Sequence, residues 1–447
     1  MHFEENIILK PSMNKMLDTD RIQKAIDFAS NERKRLIFEK GVYYTGTLYL
    51  KNNSWIQLNE GCVIIGSDNV GEYTVTEYCH QSKQNYWQSV FFGKNIENVT
   101  ICGKGKIQGQ GDKFPFGLEA FSANDYDQSP VQEFKIRPSL LYLKHCQNIT
   151  LVNLSFEDAA QFAILIEESK DILIDGINIL NRKNRNTDGI HFSQNYNIHI
   201  KNCKIDSGDD ALVFNRGVSK LQIENCDVTS RWAGIRFGPF SDGDFSDIEV
   251  SHCRIHDTYG CAIKIQIGQG GYFRNVNFHD MDLERVTGPI HINLCHIPHW
   301  ESKKIVSENP GSIENVIFKR IKASTVAKPY PLEHEVAVSE GELFSCINIQ
   351  GLKNYPIKKL VLSDLDVCYE AGYQDPQYEL HLLEKIDYRY PEYFMFGIMP
   401  CYAFYGSHID EIVMENVRFY TERYDIRTPM ILNDVMKMKQ ENVCIYN

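Results

Sequence analysis

With 447 residues the chain can bury a large core, and its length alone allows two or three ordinary domains. Its 47 basic and 59 acidic residues leave a net charge of −12, which argues against nucleic acid and membrane partners. Any acidic substrate must therefore be held by a few local Arg and Lys side chains.

The opening MHFEENIILKPSMNK lacks the basic start, apolar run and small-residue cleavage site of a secretory signal. A cytoplasmic location is the expectation, or a secreted one if the sequence is a processed form. Nowhere is an apolar run long enough to span a bilayer. Residues 18–33, DTDRIQKAIDFASNER, carry Asp and Thr as candidate caps, then Ile22, Ala25, Ile26 and Ala29 at helical spacing. This predicts a short N-terminal capping helix. From Leu36 the pattern changes to short β-like runs broken at Gly and Asn.

From residue 95 a repeat sets in. An aliphatic anchor opens each unit: Val99, Ile149, Ile172, Ile198, Leu221, Ile248, Val276, Val316, Leu360 and Ile412. Five residues after the anchor, from Ile149 onward, the chain reads Leu154, Ile177, Cys203, Cys226, Cys253, Met281, Ile321, Leu365 and Val417, all apolar. The residue before each is mostly polar or Gly: Asn153, Gly176, Asn202, Asn225, His252, Asp280, Arg320, Asp364 and Asn416. One column faces inward and its neighbour faces a turn, as strand alternation requires. The pattern predicts an all-β parallel β-helix, a single domain over residues 1–447 with regular coils at about 95–420. Thirteen cysteines, an odd count without a zinc-type C-x-x-C pair, do not read as a disulfide scaffold. Cys203, Cys226 and Cys253 read instead as small hydrophobes in a buried ladder. Residues 110–139, 295–311, 322–345 and 369–407 leave the period and are expected as long loops walling a cleft.

The chemistry-bearing stretch is 181–217, with Asp188 in NTDGIH and Asp209 and Asp210 in SGDDA. The separations, 209 − 188 = 21 and 210 − 188 = 22, are close to one coil. Adjacent coils lie about 4.8 Å apart, so the three carboxylates should stack, with Ser207-Gly208 breaking the strand so that both aspartates reach one side. Three acids so close cannot all ionise freely: one can donate a proton while others activate water. Spacing alone equally allows solvated turn caps or a Ca²⁺ site.

Cations follow at one-coil intervals, Arg236 in WAGIRFG and Lys264 in GCAIKIQ, with Arg216 in FNRG and Arg231 beside Trp232. They suit a sugar bearing its own carboxylate, or merely relieve the acids. His191 can line the same cleft or be structural. His291, His296 and His299 form a loose cluster without recognisable zinc-ligand spacing.

Taken together, NTDGIH, SGDDA, GIRFG, AIK, the early DTDRIQKAI…GVYYTGTLYLK…GCVIIGS segment, GKGKIQGQG and RPSLLYLKHCQNITLVNLSF resemble glycoside hydrolase family 28, the polygalacturonase family, over about residues 18–280. The resemblance implies a right-handed parallel β-helix and hydrolysis of pectin-derived oligosaccharides with inversion. It implies Asp209 as general acid, Asp188 and Asp210 positioning a water, and Lys264 on a galacturonate carboxylate, with no metal or cofactor. Ala233 stands where the family has a histidine and Ala262 where it has an arginine, and LCHIP offers no clear match to a downstream tyrosine. These departures leave the acids intact and open the choice of sugar to rhamnose of a rhamnogalacturonan fragment. The long loops point to action at chain ends. Two rivals share the scaffold: a Ca²⁺-dependent polysaccharide lyase using Lys264 as base, and a non-catalytic carbohydrate-binding β-helix.

Overall fold

The computed structural model describes residues 6–12, 16–74, 76–78, 86–114, 137–184, 186–297, 307–326, 339–383 and 392–447. Its strands are parallel except for one short antiparallel pair, and they wind as a right-handed parallel β-helix, the hand that parallel crossovers adopt. The described residues divide into two compact units, one running up to Leu212 and one from Val213 to Asn447.

In the first unit the helix Thr19–Asn31 buries Ile22, Ile26 and Ala29. Asp18 does not cap it through its side chain. Its carboxylate instead accepts from Arg21, and its backbone N–H donates to Tyr44 O at 2.8 Å. Beyond the helix the anchors stack in direct register, Val99 on Ile149, Ile149 on Ile172 and Ile172 on Ile198. The second unit continues the scheme from Leu221 to Ile248, Val276, Val316, Leu360 and Ile412. All ten anchors are buried, as are all nine members of the second apolar column. At about 1.5–3 kcal/mol for each large aliphatic side chain taken out of water, these columns are the main cohesive term in each unit.

The polar column between them has one backbone property: every member lies in the left-handed region, from φ 52° at His252 to 66° at Gly176. Asn, Asp and Gly tolerate that region best, which is why they recur there. Each corner also bonds its neighbour where side chains allow: Asn416 Nδ2 donates to Asp364 Oδ1 at 2.9 Å, and Arg320 pairs with both oxygens of Asp280. The corner turns the chain so that the next residue points into the core. Cys203, Cys226 and Cys253 fill that place, each thiol turned back on a backbone carbonyl two residues earlier. All twelve cysteines among the described residues are free thiols.

Of the segments outside the period, residues 115–136, 298–306, 327–338 and 384–391 lie outside the described residues. Their described flanks include two one-turn helices, Glu340–Leu343 and Tyr393–Phe396; Ser339 caps the first through a reciprocal bond pair with Glu342. No described helix is long and apolar enough to cross a membrane.

Candidate active site

Asp188 lies just before the strand Ile190–Lys201. Asn181 Nδ2 pins its backbone, donating to Asp188 O at 3.1 Å and to Gln161 O at 2.8 Å. Thr187 Oγ1 closes the preceding turn on Asn184 O at 2.9 Å. One coil later Asp209 and Asp210 sit between the strands Lys204–Ser207 and Leu212–Glu224. Gly189 N donates to Asp210 O at 3.1 Å and Ile190 N to Ala211 O at 2.9 Å, so the expected 21–22 residue winding is realised bond by bond. Gly208 makes the turn possible: a Cβ there would stand 2.4 Å from Thr187 Oγ1. Ser207 Oγ then ties the turn to Asp209 O at 2.7 Å.

One carboxylate oxygen from each of Asp188, Asp209 and Asp210 lies within 4.8 Å of the other two. Among the described residues this is the one group of three such side chains close enough to share an ion, and the same spacing suits a water. Asp188 and Asp210 are buried while Asp209 is partly exposed, so Asp209 is the acid a ligand reaches first. Its two oxygens accept from Asp210 N at 2.9 Å and Asn186 Nδ2 at 3.2 Å. His191 Nδ1 lies 2.7 Å from Asp188 Oδ2, and its ring stacks on Phe162 with centroids 4.5 Å apart. A neutral His191 donating from Nδ1 leaves Nε2 as an acceptor.

Behind the acids stands a residue the sequence reading did not single out. Arg137 is fully buried; its guanidinium donates to Ala160 O at 3.2 Å and to Asn186 Oδ1 at 3.4 Å. Because a guanidinium only donates, it sets the Asn186 amide with its oxygen inward and its nitrogen toward Asp209. Burial pulls the Arg137 pKa down to about 10, against the opposing pull of Asp209 and Asp188. It therefore stays charged at neutral pH and offsets part of the acids' charge. Its only sequence signal is an Arg-Pro ahead of an apolar strand, which does not reveal proximity to residues some fifty positions later.

In the second unit Arg236 and Lys264 are register partners on the strands Ala233–Phe237 and Cys261–Ile267, with His291 next in the row. Arg236 Nε donates to Gly238 O at 2.9 Å. Lys264 is fully buried and ion-paired with Glu392, a partner no local pattern indicates. Arg216 makes a two-bond pair with Asp242, Nη2 to Oδ2 at 2.7 Å. Arg231 and Trp232 form the turn before Ala233, and the Trp232 ring lies 5.7 Å from that of Phe394. Ala233 and Ala262 are both core residues. Of the loose histidine cluster, His291 Nε2 meets Asn348 Nδ2 at 2.8 Å and His296 stands near Tyr355, while His299 lies outside the described residues.

A model of the family described as glycosyl hydrolases family 28 matches residues 63–360. A probable polygalacturonase of Arabidopsis thaliana is 31% identical over 240 residues, 52% of this chain and 46% of that protein. The chain spans about half the length of the curated relatives it matches. Among solved structures, an exopolygalacturonase from Thermotoga maritima is similar at a TM-score of 0.60 and 19% identity, covering 79% of this chain and 84% of that one. The family 28 exopolygalacturonase of Yersinia enterocolitica is similar at 0.63 and 15% identity, covering 97% and 75%. The family match takes in all three stacked aspartates and runs through both units of the solenoid, and the chain belongs to glycosyl hydrolase family 28.

Proposed function

We propose that this chain is a glycoside hydrolase that cleaves pectin-derived oligosaccharides at chain ends by single displacement. The observation carrying this reading is the approach of Asp188, Asp209 and Asp210 to within 4.8 Å, in a chain of this family whose curated relatives are named polygalacturonases. Asp209, the reachable acid, protonates the leaving oxygen. Asp188 and Asp210 hold the attacking water and take its proton, with His191 orienting Asp188. Arg137 and Asn186 keep Asp209 aimed. The long segments outside the period support action at chain ends over cutting within a polymer.

The short carboxylate separation raises retention as a second reading on stereochemistry. Inverting enzymes commonly hold their two carboxyl groups about 6.5–9.5 Å apart and retaining ones about 5–5.5 Å, the latter through a covalent glycosyl-enzyme. Here three acids share the work, and two of them can grip one water at short range, so inversion is the favoured outcome. Proton NMR of the first-formed anomer decides it: inversion is expected, and retention would replace the water-holding role of Asp188 or Asp210 with a nucleophilic one. Chain-end analysis should show single units released in order. Unsaturated products absorbing in the ultraviolet and abolished by a chelator would instead indicate the lyase.

A further inference from the structure

One face of the first unit changes character at His191. The strands Ser89–Lys94, Ser139–Lys144, Ile164–Glu167 and Ile190–Lys201 lie side by side. Their registers set Phe92, Tyr142, Leu165 and His191 in one row, with Tyr49 ahead of Phe92. The adjacent row, Phe91, Leu141, Ile164 and Ile190, fills the interior of the coils. Side chains alternate along a strand, so the first row projects from the outer surface of the same sheet. A face left to water favours polar groups, yet Phe92, Tyr142 and Leu165 are no more than 7% exposed and pack with Phe162 and Tyr49. At His191 the row turns polar and partly exposed.

Phe162 forms the edge of this covered patch, and it is fastened to Asp188. Its ring stacks on His191 with the planes 18° apart, and His191 Nδ1 in turn lies 2.7 Å from Asp188 Oδ2. The backbone on either side of Phe162 is bonded to the same aspartate. Asn181 Nδ2 spans Gln161 O and Asp188 O at 2.8 and 3.1 Å, and Ala163 N donates to Asp188 O at 3.0 Å. Arg137 holds Ala160 O at 3.2 Å, and a Cβ on Gly111 would stand 2.4 Å from Ala159 O. The ring is thus fixed against the first acid, in the coil that precedes it.

Building on the hydrolase reading above, we propose that Phe162 ends the sugar path beside Asp188, so that one sugar unit fits on that side and the chain is cut from its non-reducing end. Beyond Phe162 the outer face is filled by Leu165, Tyr142 and Phe92, in the places a longer chain would cover. The direction follows from the order of the acids. Asp188, which holds the water, is bonded to the wall, and Asp209, which gives the proton, stands one winding further on. The oxygen of the water joins the anomeric carbon from the Asp188 side, and the glycosidic oxygen leaves with the Asp209 proton. The departing chain therefore points away from Phe162. The sugar against the wall is the one whose anomeric carbon is attacked, which is the non-reducing terminal unit. Phe162 is a specificity-determining residue that rejects a longer chain by collision.

A galacturonate pentamer with a fluorescent label at its reducing end tests this on the full chain, with a rhamnogalacturonan hexamer in its place if the pentamer does not bind. Wild type should release one unlabelled monosaccharide for each labelled oligomer shortened by one unit. Phe162→Ala should release unlabelled dimers as well. If that variant does not fold, Phe162→Leu keeps the apolar packing without the ring and carries the same product analysis. Binding is read separately, by titration calorimetry on Asp209→Asn. A benzyl group on the non-reducing terminal sugar should weaken binding by about tenfold or more, and one at the reducing end by less than about threefold. Adding Phe162→Ala should remove most of that difference. Unlabelled dimers from wild type, an equal penalty at both ends, a penalty unchanged in both Phe162 variants, or binding of neither oligosaccharide would overturn the proposal. A chain that binds with this end preference and cuts nothing would sink the hydrolase reading alone, and one that cuts but releases dimers would sink this inference alone.

Discussion

Glu342 gives the sharpest handle on the second unit. It is buried, it accepts Ser339 N at 3.0 Å, and burial together with the Glu392 charge lifts its pKa from 4.5 to about 8. In the unfolded chain it returns to the ordinary value. Between pH 4.5 and 8 the folded state therefore holds a proton that the unfolded state has released. The sign follows: the unfolded state binds fewer protons, so stability falls as pH rises through this window. The slope is about 1.4 kcal/mol per pH unit for one proton, with an upper bound of about 5 kcal/mol across the window. Glu342→Gln keeps the neutral shape and the acceptor oxygen but cannot ionise. Urea unfolding of wild type and variant at pH 5, 6.5 and 8 measures the difference, and histidines titrating in both chains cancel in the comparison. The two should be nearly equal at pH 5 and separate by a few kcal/mol at pH 8, with the variant more stable. A difference that stays constant with pH, or a wild type that gains on the variant as pH rises, would refute the argument.

Three further outcomes follow from the same structure. Asp209→Asn should lower kcat by at least about a thousandfold, with substrate affinity within about threefold of wild type, because the carboxamide fills the same space but cannot donate the proton; binding calorimetry and single-turnover kinetics separate the two effects. His191→Ala removes the 2.7 Å contact to Asp188 and should cost about 10–100-fold in kcat, with little change in melting temperature. Lys264→Met leaves Glu392 as an uncompensated buried charge and should cost about 3–5 kcal/mol, while Lys264→Met with Glu392→Leu should recover most of it. Additive losses in that double-mutant cycle would show that the two side chains are not coupled.

The acids were legible for a specific reason. A solenoid converts sequence separation into height, so 21 residues between Asp188 and Asp209 is itself a distance statement once the period is known. The corners were legible as turns, from the Asn, Asp and Gly that recur just before an apolar residue, while their left-handed backbone emerged only from the structure. Arg137 and Glu392 were not. Each reaches its partners across segments that leave the repeat, where counting residues no longer measures height, and neither Arg-Pro nor an isolated Glu carries a pattern. The sequence therefore offered Lys264 to a substrate, and the fold paired it with Glu392.

What the sequence determined by itself is everything that repeats: the parallel coils, the buried anchors and cysteines, the turning corners, and the stacking of three aspartates one winding apart. These follow from near neighbours and a fixed rise per coil. Only the tertiary structure decided which charges are spent on one another. Whether a lysine is available depends on what lies within a few ångströms of its nitrogen, and here that is a carboxylate 128 residues away, brought in by a segment that obeys no period.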